Sequence, residues 1–207
     1  MAATSHLDHR DFGPLYNSES GKLILGSFPS VKSREARFYY GHPQNRFWRI
    51  IRALDDPAVM EEAMAGKPVL LPAEAAGLPV DRRHMALDIE EDIRLKTQLI
   101  LRHHLALWDT IDSCTITGSQ DASIRDVTVS NFPDLLSKCS IRNIYCNGTA
   151  SYRLFMKYAF PAITAYCRST GRPVPEIFSL PSTSPANAAW TLPKLIEAWN
   201  CILDEPQ

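Results

Sequence analysis

The sequence predicts an α/β fold built on a parallel sheet of four strands with helices on both faces. Four short apolar runs, each ending in small or polar residues, are typical of strands that are buried on both sides. These runs are residues 22–28, 105–111, 142–148 and 176–182. Helical patterns separate them, and an alternation of strands and helices is typical of a parallel sheet between two helical layers.

The helices are predicted from apolar stripes and capping residues. Phe47, Ile50, Ile51 and Leu54 repeat at the spacing of one helix face, shortly after Asn45. Further helices are predicted at 90–104, after the N-cap residue Asn131 with Pro133 in the first turn, at 149–160 and at 192–203.

Length and composition favour one intracellular domain. A chain of 207 residues with 45% apolar and 22% charged residues is ordinary for a single globular domain. Residues 55–88 contain several prolines and no clear period, so we expect a surface excursion there. No apolar run approaches the roughly 18 residues of a membrane span, and the N-terminus lacks the apolar core of a secretory signal.

The cysteines and histidines do not predict a metal site. The five cysteines form no Cys-x-x-Cys pair, so we expect buried free thiols in a reducing compartment. His103 and His104 are adjacent on a predicted helix and point in different directions. His42 in its loop is interpreted as solvated. His6 and His9 are interpreted as part of a frayed terminus.

Positive charge is concentrated in one segment although the net charge is only −1. Between residues 31 and 54, Glu35 is the only acid among six cations, namely Lys32, Arg34, Arg37, Arg46, Arg49 and Arg52. Local clustering sets the field that a phosphate backbone meets. A solvated helix face would produce the same pattern, so charge permits a nucleic-acid partner without establishing one.

Polar residues gather where the predicted strands end. Ligands of open parallel α/β sheets bind beyond the carboxyl ends of the strands. The ends are Gly26 to Phe28, Trp108-Asp109, Asn147-Gly148 and Ser182 to Ser184, with the aromatic segment "FYYGHPQNRFW" (38–48) beside them. This combination of small, aromatic and carboxylate residues predicts a site for a flat polar ring attached to a phosphate chain.

Five motifs follow one another along the chain: "LGSFPSVKSREARFYYGHPQNRFW", "LALWDTIDSC", "GSQDASI", "NGTAS" and "LPSTSPANA". Together, over about residues 22–54 and 98–203, they resemble the hypoxanthine-DNA (DNA-deoxyinosine) glycosylase branch of the uracil-DNA glycosylase superfamily. The resemblance implies a three-layer α/β/α sandwich around a central four-stranded parallel sheet, with residues 1–207 as one glycosylase domain. It also implies hydrolysis of the N-glycosidic bond of a deaminated base, without metal or organic cofactor.

The resemblance further implies that the partner is DNA containing a deaminated base. We expect a monomer that acts in the cytoplasm, or in the nucleus if the source is eukaryotic, and that binds no membrane. Chemistry by hydrolysis alone is favoured over a lyase, because Lys32 is the only lysine within the matched motifs and lies on a basic surface segment.

Asn45 is the predicted catalytic residue. Phe28 occupies the position that orients water in many superfamily members, and a phenyl ring cannot do so. In the hypoxanthine branch an asparagine in the "HPQN" segment takes that role, and Asn45 matches it. A side-chain amide positions water but is a poor base. Spacing alone favours Asn45 as the N-cap of the following helix, and it is the resemblance that favours the catalytic role.

Three residues are predicted to bind the base. Tyr39 would stack on it and Phe28 would close another wall, although both rings are also explained as core. Asp109 would accept a hydrogen bond from N1–H of hypoxanthine or N3–H of uracil, and it would reject adenine, whose N1 is itself an acceptor. A capping or salt-bridged aspartate is the structural alternative.

Four residues are predicted to contact DNA: Lys32, Arg34, Ser182 and Ser184. The two serines lie in a proline-bounded loop from which they could bind phosphates, or they could cap the turn. Leu180 replaces the histidine with which uracil enzymes stabilise the leaving base, which argues against efficient uracil removal. Asn147-Gly148 is interpreted as the tight exit from a strand.

Two alternatives remain open at this stage. The same fold could act mainly on uracil or xanthine, which Asp109 permits. A non-catalytic domain that senses a flipped base is the alternative from another class, and Asn45 together with Tyr39 disfavours it. A serine hydrolase fits poorly, because the chain has no Gly-x-Ser-x-Gly elbow.

Overall fold

The structure is a computed structural model, and it describes residues 4–9, 12–117 and 124–203. Its strands are β1 Thr4–Asp8, β2 Lys22–Gly26, β3 Leu105–Asp109, β4 Ile111–Thr117, β5 Arg125–Val129, β6 Asn143–Asn147 and β7 Glu176–Leu180. Its helices are α1 Val31–Glu35, α2 Phe47–Asp55, α3 Pro57–Met64, α4 Pro72–Ala75, α5 Ile89–Leu101, α6 Phe132–Lys138, α7 Thr149–Tyr158, α8 Phe160–Thr170 and α9 Leu192–Trp199. A short 3-10 helix, Asn200–Ile202, follows α9.

The predicted parallel sheet is confirmed. Its four strands are ordered β3-β2-β6-β7 and all neighbours run parallel. Ile24 and Leu107 face a helical layer made of α2, α5 and α9. Leu25 and Ile144 face the opposite layer of α6, α7 and α8. The chain is therefore a three-layer α/β/α sandwich, as the sequence patterns predicted.

The strands of the parallel sheet differ in burial. β2 and β3 are buried along their whole length, as the apolar runs predicted. β7 lies at the edge with β6 as its single neighbour, and only Leu180 is buried in it. The prediction that this strand is buried on both faces is wrong, because four of its five residues remain at least partly exposed, whereas the other edge strand, β3, is covered at Leu107 by a backbone bridge from Leu15.

A second sheet, which the sequence analysis missed, joins the N-terminus to the middle of the chain. β1, β4 and β5 form an antiparallel sheet in the order β1-β4-β5. Thr4 pairs with Thr117 and Asp8 with Ser113, so the interpretation of this terminus as frayed is wrong. Pairing between segments this distant leaves no local periodicity. Most of the motif "GSQDASI" (118–124) lies outside the described residues.

Residues 55–88 are more than a surface excursion. They contain α3 and α4, and Ala63, Val69 and Leu71 are buried in the core cluster beneath α2. Asp56 caps α3, accepting a hydrogen bond from Ala58 N–H at 2.9 Å. The segment therefore contributes to one helical layer while exposing other residues, including Leu70 and Leu87.

The helix predictions hold in type but not in every boundary. Asn131 caps α6 through a 3.3 Å hydrogen bond from Asp134 N–H, with Pro133 in the first turn. Helices α1, α3, α4 and α8 were not predicted. Cys139, Cys146 and Cys167 are buried free thiols. Among the described residues, no helix is long and apolar enough to cross a bilayer.

Candidate active site

A cavity of about 950 Å³ opens beyond the carboxyl ends of the four parallel strands. Each strand contributes its last residue to the lining: Gly26 from β2, Asp109 from β3, Asn147 from β6 and Leu180 from β7. The cavity thus opens at the edge of the sheet where the sequence predicts a site. Of the residues predicted there, Phe28, Arg34, Tyr39, Asn45, Asp109, Ser182 and Ser184 line the cavity.

Asn45 lies at the cavity wall, and its side-chain oxygen is engaged. Oδ1 accepts a 2.9 Å hydrogen bond from Phe47 N–H, at the start of α2. It also accepts a 2.8 Å hydrogen bond from the Thr183 hydroxyl. The cap-like contact is therefore present, although α2 begins two residues later than Asn45 and Arg46 occupies the formal N-cap position. Both lone pairs of Oδ1 are used in this state.

Thr183 connects Asn45 to the third parallel strand. Asn147 Nδ2 donates to Thr183 Oγ1 at 2.9 Å, and Thr183 N–H donates back to Asn147 Oδ1 at 2.9 Å. Thr183 is completely buried, so these bonds are shielded from water. Gly148 follows with a positive φ of 96°, and a Cβ there would approach the Ser182 Cβ to 2.9 Å. Asn147-Gly148 therefore forms the strand exit and also holds the loop after β7.

Arg46 fixes the same loop from the other side, and the sequence analysis gave it no role. Its guanidinium donates to the backbone carbonyls of Thr183, Ser184, Asn187 and Trp190. One side chain thus ties the turn before α2 to the whole "LPSTSPANA" loop. Arg46 stood among six cations in its segment, and nothing local distinguished it from the others.

The aromatic rings combine lining and core packing. Tyr39 is only 3% exposed, and its hydroxyl donates to Gly13 O at 2.7 Å. Its ring meets Phe12 edge-on, with centroids 5.0 Å apart. Burial, and then the charge of Asp109, raise the pKa of Tyr39 well above its usual value of 10.0, so the phenol stays neutral. Phe28 is 9% exposed, and the Arg34 guanidinium lies 5.7 Å from its ring centroid.

Asp109 is held in one orientation at the cavity wall. Its Oδ2 lies 2.8 Å from His9 Nε2. Its Oδ1 lies over Gly26, so close that a Cβ built on that glycine would stand 2.1 Å from it. The salt-bridged aspartate of the structural alternative is thus observed. It is compatible with base recognition, because Oδ1 makes no hydrogen bond to a described side chain.

His9 is the functional candidate that the sequence analysis dismissed. It follows β1 and its backbone N–H donates to Asp112 O at 2.6 Å. The ring lies 6.4 Å from Phe28 and 6.2 Å from Tyr39, centroid to centroid. It therefore contacts or adjoins all three predicted base-binding residues. His9 and Asp109 are 100 positions apart, so no spacing rule could have joined them.

The pKa of His9 reflects this environment. Burial by itself lowers the pKa, but the hydrogen bond and the charge of Asp109 outweigh it, so the pKa lies above the usual 6.5. The imidazole Nδ1 is buried without a hydrogen-bond partner in the described part of the chain. His9 and Asp109 accordingly form a buried ion pair over the pH range in which the imidazole is protonated.

The predicted DNA-binding residues divide into two groups. Ser182 and Ser184 line the cavity and also shape its loop: Ser182 Oγ accepts from Ser184 N–H at 3.2 Å, and Ser184 Oγ accepts from Ala186 N–H at 3.3 Å. Arg34 lines the cavity. Lys32 does not; it pairs with Glu35 on α1 and faces a neighbouring cavity. No cluster of metal-ligating side chains occurs among the described residues.

Fold and site together define an α/β protein with an open, aromatic and amide-lined cavity at the carboxyl edge of a parallel sheet. The family model of the uracil DNA glycosylase superfamily matches residues 14–203. The chain belongs to the uracil DNA glycosylase superfamily.

Relatives and a solved structure agree with this assignment. A hypoxanthine DNA glycosylase of Methanosarcina acetivorans is 29% identical over 61% of this chain and 61% of its own length. The chain thus matches less than two thirds of that relative. A hypoxanthine DNA glycosylase of Methanosarcina barkeri is 23% identical over 68% and 71% of the two chains. A solution NMR structure from Methanosarcina acetivorans, described as a candidate uracil DNA glycosylase, superposes with a TM-score of 0.55 at 26% identity, covering 94% of this chain and 97% of that one.

Proposed function

We propose that the chain is a DNA repair glycosylase that hydrolyses the N-glycosidic bond of a flipped deaminated base, with hypoxanthine as the preferred base. The observation that carries this proposal is Asp109: a buried carboxylate, pinned through Oδ2, that presents its Oδ1 at a cavity on the strand ends. The names of the two similar Methanosarcina proteins support the same base.

Recognition would rest on hydrogen-bond polarity. Hypoxanthine presents N1–H, a donor, where adenine presents a bare N1 that only accepts. A carboxylate accepts only, so Asp109 pairs with the deaminated base and meets adenine lone pair to lone pair. One free oxygen is sufficient for one N–H. The enzyme would thus recognise deamination at one position of the base, N1, which is an acceptor in adenine and a donor in hypoxanthine.

The base must be flipped out of the duplex before it can meet Asp109 in the cavity. Extrusion of a nucleotide costs a few kcal/mol, and stacking on an aromatic ring returns about 1–3 kcal/mol per base. The cavity of about 950 Å³ is ample for a base with its sugar. Tyr39 and Phe28 are the rings proposed to receive it. The positions of Arg34, Ser182 and Ser184 around the opening suit contacts with the flanking phosphates.

Hydrolysis needs a water held beneath the anomeric carbon, and we assign this task to Asn45. Phe47 N–H and the buried Thr183 hydroxyl both donate to Oδ1, and together they fix the orientation of the side-chain amide. The Nδ2 amine of Asn45, which makes no hydrogen bond to the described residues, would then hold the water. The contribution of Asn45 is orientation rather than proton abstraction.

A monofunctional reaction is supported by the lining of the cavity. A lyase needs an amine that attacks the sugar. None of the described residues around the cavity is a lysine, and Lys32 faces another cavity with Glu35 as its ion partner. We therefore propose that water is the nucleophile and that an abasic site is the product.

The test is strand cleavage by alkali on labelled duplexes that carry one deoxyinosine, deoxyuridine or deoxyxanthosine. Wild type should release hypoxanthine fastest. Asn45→Ala should lower the single-turnover rate by about 10²-fold or more. Gln44→Ala, an exposed neighbour on the same turn, is the matched control. Asn45→Asp keeps an acceptor for Phe47 N–H and so separates helix capping from catalysis. Full activity in Asn45→Ala would reduce this residue to a cap.

A non-catalytic base sensor is the second candidate, because both lone pairs of Asn45 Oδ1 are occupied. A sensor would bind deoxyinosine duplexes more tightly than matched adenine duplexes and would release no base from any of the three substrates. Base release by wild type that depends on Asn45 would exclude it.

A further inference from the structure

The need to hold Asp109 in place does not by itself explain why a histidine is its partner. His9 Nε2 approaches Asp109 Oδ2 to 2.8 Å, and the side chains are 1% and 7% exposed. A neutral donor would orient the carboxylate as well as an imidazole does. The chain instead places there the one side chain that carries a positive charge near neutral pH and is compact enough to pack against Phe28 and Tyr39.

A carboxylate that reads the base also creates an electrostatic difficulty. Cleavage of the glycosidic bond leaves the electron pair on the base, so negative charge grows beside Asp109. Like charges a few ångströms apart repel strongly where water is excluded. Leu180 stands where the resemblance would place a histidine that stabilises the leaving base, and a leucine offers no donor. Among the described residues that line the cavity the one cation is Arg34, and its guanidinium donates to Pro29 O and lies over the Phe28 ring.

We propose that His9 is the cationic counter-ion of Asp109, and that its charge allows the base-reading carboxylate to remain in contact with a base that departs as an anion. This inference rests on the proposed function, since base departure is the step it explains. His9 would act through Asp109 and would not touch the base, so it is a positioning and charge-compensating residue.

Among the described residues, one carboxylate and one neutral phenol face the His9 ring. Asp109 on β3 is the charged side chain whose hydrogen bond and charge act on it. Tyr39, from the segment before α2, faces it as a neutral phenol. From β4, Asp112 offers its backbone carbonyl to His9 N–H. Across the part of the chain that the structure describes, no second cation is paired with Asp109.

The decisive experiment is a double-mutant cycle on single-turnover base release. His9→Gln keeps an N–H donor and removes the charge, and Asp109→Asn removes the anion. His9→Gln should lower the rate by about 10²-fold, the loss typical of one electrostatic stabiliser, with little change in KM. In Asp109→Asn no anion remains to be neutralised, so adding His9→Gln should change the rate less than about 2-fold. Equal effects of His9→Gln in both backgrounds would overturn the inference.

The pH profile separates charge from packing. If the imidazolium is required, the wild-type rate falls as pH rises through deprotonation of His9. That alkaline limb should be absent from His9→Gln, which has no proton to lose. An alkaline limb that persists in His9→Gln would contradict the proposal, because it would have to come from the titration of another group.

An NMR titration of the His9 ring in the substrate-free protein tests the ion pair without activity. The wild-type titration should lie above that of an exposed histidine and should move to lower pH in Asp109→Asn. A His9 that is neutral at pH 7 in wild type would overturn the inference even if His9→Gln does not fold. An active wild type with unaffected His9→Gln refutes this inference alone. A folded wild type that releases no base refutes the proposed function.

Discussion

Single side chains in this cavity serve structure and proposed chemistry together. Asn45 accepts the bond from Phe47 N–H through Oδ1 and keeps its Nδ2 for the proposed water. Asp109 forms a buried ion pair through Oδ2 and keeps Oδ1 at the cavity. In both cases the structural alternative inferred from the sequence is present, and it does not compete with the functional role. The structural contact uses part of the group's hydrogen-bonding capacity and thereby fixes the direction of the rest.

The His9–Asp109 pair should make the stability of the protein depend on pH. Because the pKa of His9 is raised by folding, its stabilising effect is complete below the unfolded value of 6.5 and is lost as pH rises through the folded pKa. The free energy of unfolding should therefore decline over that interval. Urea unfolding of wild type and His9→Gln at a series of pH values measures the difference. A parallel pH dependence in both proteins would contradict it.

At the scale of elements, the site depends on strand ends and on one well-anchored loop. The register places Gly26 opposite Asp109, and the missing side chain of Gly26 provides the space for the carboxylate. The loop after β7 is held by Asn147 from the sheet and by Arg46 from the turn before α2. The ends of the parallel strands supply the residues of the site. The hydrogen bonds that anchor the loop after β7 set the distances between them.

Gly26→Ala should displace Asp109. The new methyl group would stand 2.1 Å from Oδ1, far inside van der Waals contact, so the carboxylate has to move. We expect a destabilisation of about 1–3 kcal/mol, as for other overpacked sites, and a loss of base release. Thermal unfolding and single-turnover kinetics measure both effects. Gly13→Ala is the control, because a Cβ there meets no atom within 4 Å. Equal stability and equal base release in the two variants would show that the Asp109 carboxylate can move without cost.

Arg46→Lys should loosen the loop after β7. The guanidinium serves several carbonyl groups at once, and an ammonium group cannot reproduce that planar fork. Hydrogen exchange of the loop amides should speed up, and stability should fall by about 1–3 kcal/mol. Arg52→Lys is the matched control, since Arg52 is partly exposed and makes one such bond, to Leu70 O. Unchanged exchange in Arg46→Lys would mean that Asn147 alone holds the loop.

At the scale of the molecule, charge is distributed unevenly. A second groove of about 980 Å³ lies on the other side of the turn that carries Asn45. Its lining includes Arg49, Lys67, Arg82 and Arg83, against the single carboxylate of Glu74. Two of these cations, Arg82 and Arg83, are exposed on the segment 55–88 and form no ion pair among the described residues. This surface suits a nucleic-acid backbone that continues past the cavity.

The double substitution Arg82→Ala/Arg83→Ala should weaken DNA binding without changing the choice of base. Each phosphate contact contributes about 0.9 to the slope of log K against log salt, so two contacts should reduce that slope by roughly 2. Fluorescence anisotropy with deoxyinosine and control duplexes at several salt concentrations measures it. Arg94→Ala, which removes a surface cation paired with Glu91, should leave the slope unchanged. An unaltered slope in the double variant would assign 55–88 to packing alone.

Much of the fold could be predicted because its signals are local. The parallel strands are apolar runs bounded by polar residues, and helix starts are marked by Asn131 and Pro133. The sheet β1-β4-β5 and the burial of Val69 and Leu71 were missed, since their partners lie far away in the sequence. Seven of the eight predicted site residues line the cavity, because residues that follow the ends of parallel strands lie at one edge of the sheet. The eighth, Lys32, lies on the short helix α1 and pairs with Glu35.

The sequence by itself determined the class of fold, the order of the motifs and the edge of the sheet where the cavity opens, since each depends on residues close together in the chain. The tertiary structure alone decided that His9 faces Asp109 across 100 positions and that Thr183 donates to Asn45 across 138. These contacts settle which lone pairs and charges remain available to a substrate. A hydrogen bond depends on distance and angle in space, and neither is encoded in the spacing of residues along the chain.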